Sequence, residues 1–427
     1  MKMTYREEEQ KTYVEFFDRT SVENICACLI STPKSVVLVG TDEKELNRVI
    51  CIYEKMFEKR NRTVRFAKEL LPNWNTEEII KTLEKIRNEH ENCIFGITGG
   101  EERVIYALGR LSERYGDIQV HRVNIQDNEV YDCDMDGKTI EHGVPQLSVE
   151  ENIRIYGGKI MYGDVHSERT YTWDLEKDDF ETDIQAMWEI CRDYFRPWNK
   201  QTGAFKHMVE DGTTNEDGIV VTAKKPDGKS YYINEDVRKR LEEARLATIE
   251  IGTDKTYTVT YKNLQVKRCL TQEGLALELK VYLTAKRLGG ETPIYNDVVN
   301  GVLIDWDGIP PKKEKEHANT KNEIDVLAMH NMIPIFISCK NRDYMEIDEL
   351  YKLSTVADRF GGKYAKKVLV VRELKDDKFR ETLLQRAKDM EIEVIIGTDI
   401  TNDDHLKDRL EKMWEPENDP TRKRKKQ

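Results

Sequence analysis

Short apolar runs that end in glycine-bearing turns, each followed by a helix-length amphipathic stretch, limit most strongly what this chain can fold into. Val36-Val37-Leu38-Val39 runs into Gly40-Thr41-Asp42, and Leu46, Val49, Ile50 and Tyr53 then recur at helical spacing over residues 43–59. Residues 62–66 read as a strand. A second helix opens at Asn75-Thr76-Glu77-Glu78 and carries Ile79, Ile80, Leu83 and Ile86 on one side. Residues 93–97 form a buried strand that leads into Thr98-Gly99-Gly100, and a helix is expected from Glu101 to about Arg114. Strands alternating with helices of this length predict a parallel sheet covered on both faces. Ligands of such sheets collect beyond the carboxyl ends of the strands, where both glycine-bearing loops would lie.

A length of 427 residues suggests two or three domains, each able to bury a core. The 68 Lys and Arg against 80 Asp and Glu give a net charge of −12, which disfavours broad coating of nucleic acid but leaves room for a local basic patch. No apolar run approaches the roughly 18–20 residues of a membrane span, and residues 1–10 are too polar for a signal peptide. Eight cysteines without a Cys-x-x-Cys pair predict reduced thiols and a cytoplasmic protein.

Residues 120–141 read as a hairpin turning at Asp136-Gly137. Asp132, Asp134, Asp136 and Gly137 imitate the start of a calcium loop, but its twelfth position is Gly143, where a bidentate Glu is needed, so an acidic turn is expected. Residues 144–252 contain a helix around 183–195, a polar stretch at 210–218 and a charged helix at 234–247, read as a linker or dimerisation region. A long helix is expected over 271–288, capped by Thr271 and closed by Gly289-Gly290. Strands follow at 298–306, 323–329 and 333–340, with a charged loop through Pro310-Pro311. A helix at 347–360 and strands at 367–372 and 393–396 around a helix at 379–390 complete the pattern. Arg422-Lys423-Arg424-Lys425-Lys426 reads as a solvated basic tail. The division expected is 1–143, 144–255, 256–414 and a tail at 415–427.

Strand parity then makes a specific prediction. Glu323 and Asp325 share one strand face, and Ser338 and Lys340 share a face of the next. A turn near Asn331-Met332 sets Asp325 opposite Ser338 and Glu323 opposite Lys340, while Ile324, Val326, Ile335 and Ile337 pack on the other side. Glu278 interrupts the apolar surface of the preceding helix beside Leu275, Val281 and Tyr282, so it needs a donor, a cation or a metal. Glu278 and Asp325, with a backbone carbonyl near Cys339, form a set that could hold Mg²⁺ or Mn²⁺, with Lys340 contacting water and phosphoryl oxygens in phosphodiester hydrolysis. Ordinary exposed ion pairs remain the competing reading of the same spacing.

Glu278, then Asn322-Glu323-Ile324-Asp325-Val326, then Phe336-Ile337-Ser338-Cys339-Lys340-Asn341 resembles the PD-(D/E)xK, or restriction-endonuclease-like, nuclease superfamily. Glu278, Asp325 and Lys340 match its helical Glu, strand Asp and final Lys. Ser338 stands where that family has Glu, and Glu323 is the candidate to replace it. The two N-terminal loops resemble the CARF fold of CRISPR-associated effectors, a Rossmann-like domain binding cyclic oligoadenylate across a dimer. The resemblance carries ligand contact onto Gly40, Thr41, Thr98, Gly99, Gly100 and Arg103. Together with Leu350-Tyr351-Lys352-Leu353 and Arg359-Phe360-Gly361-Gly362, the two halves are similar to the ancillary nucleases of type III CRISPR systems. That similarity implies a homodimer, activation by cyclic tetra-adenylate and divalent-metal cleavage of single-stranded DNA, RNA or both. A ligand-independent restriction or repair nuclease, and a nucleotide-sensing regulator with a decayed site, stay open; Ser338 gives the second some support.

Overall fold

The computed structural model describes residues 11–18, 22–31, 33–71, 75–90, 92–133, 138–140, 142–164, 166–306 and 321–414. Residues 1–10, the turn at Asp136-Gly137, the Pro310-Pro311 loop and the basic tail lie outside the described residues.

The N-terminal sheet runs β3 (Arg65–Leu70), β2 (Ser35–Gly40), β1 (Thr12–Phe16), β4 (Cys93–Gly96), β5 (Gln119–Asn124), β6 (Glu129–Asp132), β7 (Lys138–Ile140). Its first five strands are parallel, as the alternating pattern requires, and β5 to β7 are antiparallel. Helices α1 (Cys26–Ser31), α2 (Glu43–Lys59), α3 (Thr76–Glu89) and α4 (Glu102–Arg114) connect the strands. Asp42 caps α2 through the Lys44 and Glu45 amides, and Asn75 caps α3. The expected single hairpin is a three-strand meander, because Asn128 takes a positive φ and turns the chain between β5 and β6. Chain order changes direction between β1 and β4, the switch point at which such sheets open a ligand crevice.

Residues 149–261 supply α5 (Val149–Ile155), β8 (Lys159–Ile160), α6 (Phe180–Asp193), α7 (Phe195–Asp211), β9 (Thr213–Thr214), β10 (Val220–Ala223), α8 (Glu235–Glu243), β11 (Ala247–Ile251) and β12 (Tyr257–Tyr261). The last four strands form an antiparallel sheet in the order β11-β12-β10-β9, which continues across residue 256.

The helix expected over 271–288 is present but starts four residues late, behind an additional helix. α9 (Leu264–Thr271) ends where Thr271 was expected to cap, its hydroxyl donating back to the Lys267 carbonyl, and α10 (Leu275–Arg287) begins after Gly274, whose φ is +88°. α10 is buried on almost every side between α6 and the third sheet. That sheet runs β17 (Ile392–Ile396), β16 (Lys366–Val371), β15 (Ile333–Lys340), β14 (Lys321–His330), β13 (Asp297–Asp305), β8, with α11 (Asp348–Gly361) and α12 (Asp377–Asp389) as crossovers. Val326, Ile335 and Ile337 pack with α10, as parity predicts, whereas Ile324 joins the opposite layer beside Val302. Gly301, facing Asp325 with φ +59°, breaks the pleat between the Asn300–Val326 and Val302–Ile324 pairs. The opposite layer is continuous with the N-terminal core: Tyr13, Leu46, Ile153, Phe336 and Phe360 belong to one buried cluster.

Candidate active site and ligand cavity

The β14–β15 ladder pairs Val326 with Ile337 and His330 with Ile333. One step further along the same register, Asp325 meets Ser338, and their side chains touch: Ser338 Oγ donates to Asp325 Oδ2 at 3.2 Å. Cys339 N–H donates to the same oxygen at 2.6 Å, and Lys340 Nζ lies 3.6 Å from it. The Lys340 carbonyl accepts from Arg372 N–H, so strand alternation turns the peptide groups of Cys339 the other way, toward β14. Ser338 therefore braces Asp325.

The break at Gly274 puts Glu278 in the first turn of α10, where the helix dipole favours negative charge. Glu278, Glu323 and Asp325 line one cavity of about 620 Å³. Burial, then the charges of Asp325 and Glu323, push the Glu278 carboxyl well above its ordinary value, against Lys340 and a hydrogen bond with Asn300. Burial and Asp325 also raise Glu323. Burial works to lower Lys340, but the charges of Asp325 and Glu349 outweigh it and hold the ammonium above its ordinary value. The Cys339 thiol is pushed well above its ordinary value by burial and by Asp325, which leaves only its backbone as a donor toward a cation.

Among the described residues no group of three or more His, Cys, Asp or Glu side chains is drawn together tightly enough to cage an ion. The donors present are nevertheless hard oxygens. A cation that keeps most of its waters is held by one or two carboxylates, so Glu278 and Asp325 fit Mg²⁺ or Mn²⁺.

Sequence reasoning missed the rim of this cavity. Arg169, Lys206, Arg268 and Lys321 line it, alongside Glu168 and Glu273. Arg169 and Lys206 come from residues read as a linker, and both are exposed. Glu349, at 3.3 Å from Lys340, was missed as well; an acid at a helix start looks like ordinary dipole matching.

A second cavity, about 1040 Å³, opens at the carboxyl ends of β1 and β2. Gly40 and Thr41 line it, as the loop reading expects. Thr98, Gly99, Gly100 and Arg103 are not among its lining residues, although the adjoining Glu101 is. Thr98 Oγ1 accepts from Val123 N–H at 2.9 Å, and Gly100 N–H donates to Asp18 Oδ2 at 3.3 Å. Gly100 has φ +105°, and a Cβ there would lie 2.5 Å from Phe16 Cβ. Tyr156, Gly157, Trp306 and Arg359 complete the wall from far along the chain, which no local motif announces.

The molecule is therefore an α/β protein in which a Rossmann-like, mostly parallel N-terminal sheet precedes a second domain built on a mixed six-stranded sheet. More particularly, residues 267–415 match the family model of the Card1-like endonuclease domain. Two solved structures share the fold over nearly the whole chain. Protein VC1899 from Vibrio cholerae superposes with a TM-score of 0.69 at 17% identity, covering 93% of this chain and 97% of that one. Can2 from Sulfobacillus thermosulfidooxidans, solved in complex with cyclic tetra-adenylate, superposes with a TM-score of 0.63 at 15% identity, covering 95% and 98%. Comparison with curated proteins finds no match. No helix among the described residues is long and apolar enough to cross a membrane.

Proposed function

We propose that this chain is a cyclic-oligoadenylate-gated, divalent-metal-dependent nuclease that cuts single-stranded DNA or RNA in type III CRISPR antiviral defence, acting as a cytoplasmic homodimer. The observation that carries the proposal is the convergence of Glu278, Glu323 and Asp325 on one cavity, with Lys340 held at 3.6 Å from Asp325, inside a segment that matches an endonuclease family. Glu278 and Asp325, with the Cys339 carbonyl, are the groups that would hold Mg²⁺ or Mn²⁺. When bound, such an ion supplies a water of lowered pKa and offsets charge building on the phosphate. Lys340 orients the attacking water and donates hydrogen bonds to phosphoryl oxygens. Glu323 takes the place of the acid that Ser338 does not provide, while Ser338 keeps Asp325 in register. Arg169, Lys206 and Lys321 at the rim attract flanking phosphates.

Gly40 and Thr41 let a nucleotide approach the backbone, and the loop of residues 98–100 shapes the neighbouring wall. The cyclic tetra-adenylate in the Can2 structure supports that ring size for this chain too. The test is cleavage of labelled single strands in manganese with and without cyclic tetra-adenylate. Cutting that rises with the nucleotide is expected. Cutting at the same rate without it would mark a ligand-independent nuclease, and no cutting under any metal or nucleotide condition would remove the enzyme claim.

A further inference from the structure

We infer that Glu349 is a positioning residue for Lys340, and that α11, which carries it, ties the Lys340 ammonium to the wall of the N-terminal cavity. The inference rests on the nuclease reading above. Lys340 Nζ lies 3.3 Å from Glu349 Oε2 and 3.6 Å from Asp325 Oδ2, so it is held by two carboxylates. A lysine ends a flexible four-carbon stem, and its reactive geometry depends on what fixes the far end. Glu349 sits in the first turn of α11 with its side chain 15% exposed, and it also meets Lys352 at 3.0 Å and Arg342 at 3.7 Å.

The other end of the same helix reaches the N-terminal domain. Arg359 lines the 1040 Å³ cavity. The Phe360 carbonyl accepts from Asn152 Nδ2 at 2.7 Å. Just beyond the helix, Lys363 Nζ at 2.6 Å and Tyr364 OH at 2.5 Å both meet Glu23 Oε1, and Glu23 is 2% exposed. The Glu23–Asn24 segment lies against Gly99, where an added Cβ would stand 3.3 Å from Glu23 Cβ and 3.2 Å from Asn24 Oδ1. Asn24 holds Asp18 by two hydrogen bonds, of 2.7 and 2.9 Å, and Asp18 lines the cavity and accepts from Gly100 N–H. One rigid helix thus has one end in the ligand cavity and the other on the catalytic ammonium. A nucleotide that binds one placement of this wall more tightly biases the placement of Glu349.

The test compares steady-state cleavage by the full-length protein in manganese, with and without cyclic tetra-adenylate. Glu349→Gln, nearly isosteric, is expected to lower kcat at least about tenfold with KM unchanged, and Glu349→Asp to recover part of the loss. Lys352→Ala, which removes a different partner of the same carboxylate, should leave kcat as it is. The pair Lys363→Met with Tyr364→Phe should keep the rate seen without nucleotide and lose most of the stimulation by it. Melting temperatures close to wild type show that the variants fold. Full kcat in Glu349→Gln, or full stimulation in the Lys363/Tyr364 pair, overturns the inference while wild-type cutting leaves the nuclease reading standing. A wild-type protein that cuts nothing overturns both.

Discussion

The two cavities differ in what makes them sites. The C-terminal one is built from charge: three carboxylates on neighbouring elements, two of them pushed toward the neutral form by burial and by the charge of Asp325, with the Lys340 ammonium alongside. The N-terminal one is built from backbone and assembly. Three of its acids are engaged locally, Asp42 capping α2, Glu45 pairing with Arg48 at 2.9 Å and Asp18 accepting from Gly100. Its wall also joins residues as distant as Gly40 and Arg359. Strained negative charge marks a place that a cation would relieve, whereas an open crevice at a switch point marks a place for a ligand whose identity the wall does not spell out.

Removing the ammonium held beside Asp325 should have the largest effect. Lys340→Ala is expected to lower cleavage roughly a thousandfold or more while binding of cyclic tetra-adenylate, measured by titration calorimetry, stays intact. Retained turnover would show that the contrast has been drawn at the wrong residues. Gly99→Val should do the reverse. The added Cβ stands 3.2–3.3 Å from Asn24, Asp18 and Glu23 and the valine branches crowd them further, so nucleotide affinity should fall about a hundredfold while metal-dependent cutting without nucleotide survives.

The smallest effect concerns Glu15, a buried acid outside both cavities on the central strand β1. Burial pushes its carboxyl up to about 8, against a weak donation from the Cys28 thiol at 3.7 Å. The folded value lies above the unfolded one, so the stability Glu15 contributes is complete below its ordinary value of 4.5 and is lost as pH rises toward 8. Glu15→Gln should therefore melt increasingly above wild type between about pH 6 and pH 8.5, by about 5 °C at the alkaline end. An unchanged gap across that range would place the ionisation elsewhere.

What could be read from the sequence follows the same division. The register that sets Asp325 against Ser338 was legible because strand parity and the Asn331-Met332 turn fix it, and the Ser338–Asp325 hydrogen bond realises it. Strand β1 was not legible, because Glu15 makes a central, fully buried strand look amphipathic; burial as a neutral acid resolves the conflict. The break before α10 was hidden because Gly274 sits inside an otherwise continuous helical spacing, and only its left-handed backbone shows that Thr271 ends one helix. Helix α7 begins at Phe195 with Pro197 in its first turn, a position that tolerates proline but reads as a helix end in one dimension. The cavity rim and the Arg359 wall were out of reach altogether, since they exist only once distant segments pack together.

The central claim is that Glu278 and Asp325 bind one divalent cation beside Lys340. Titrating manganese into the wild-type protein and into Asp325→Ala, with strand cleavage followed on the same samples, tests it most directly. The account predicts saturable binding and cutting in the wild type and the loss of both in Asp325→Ala. Equal manganese affinity and equal cutting in the two proteins would contradict it.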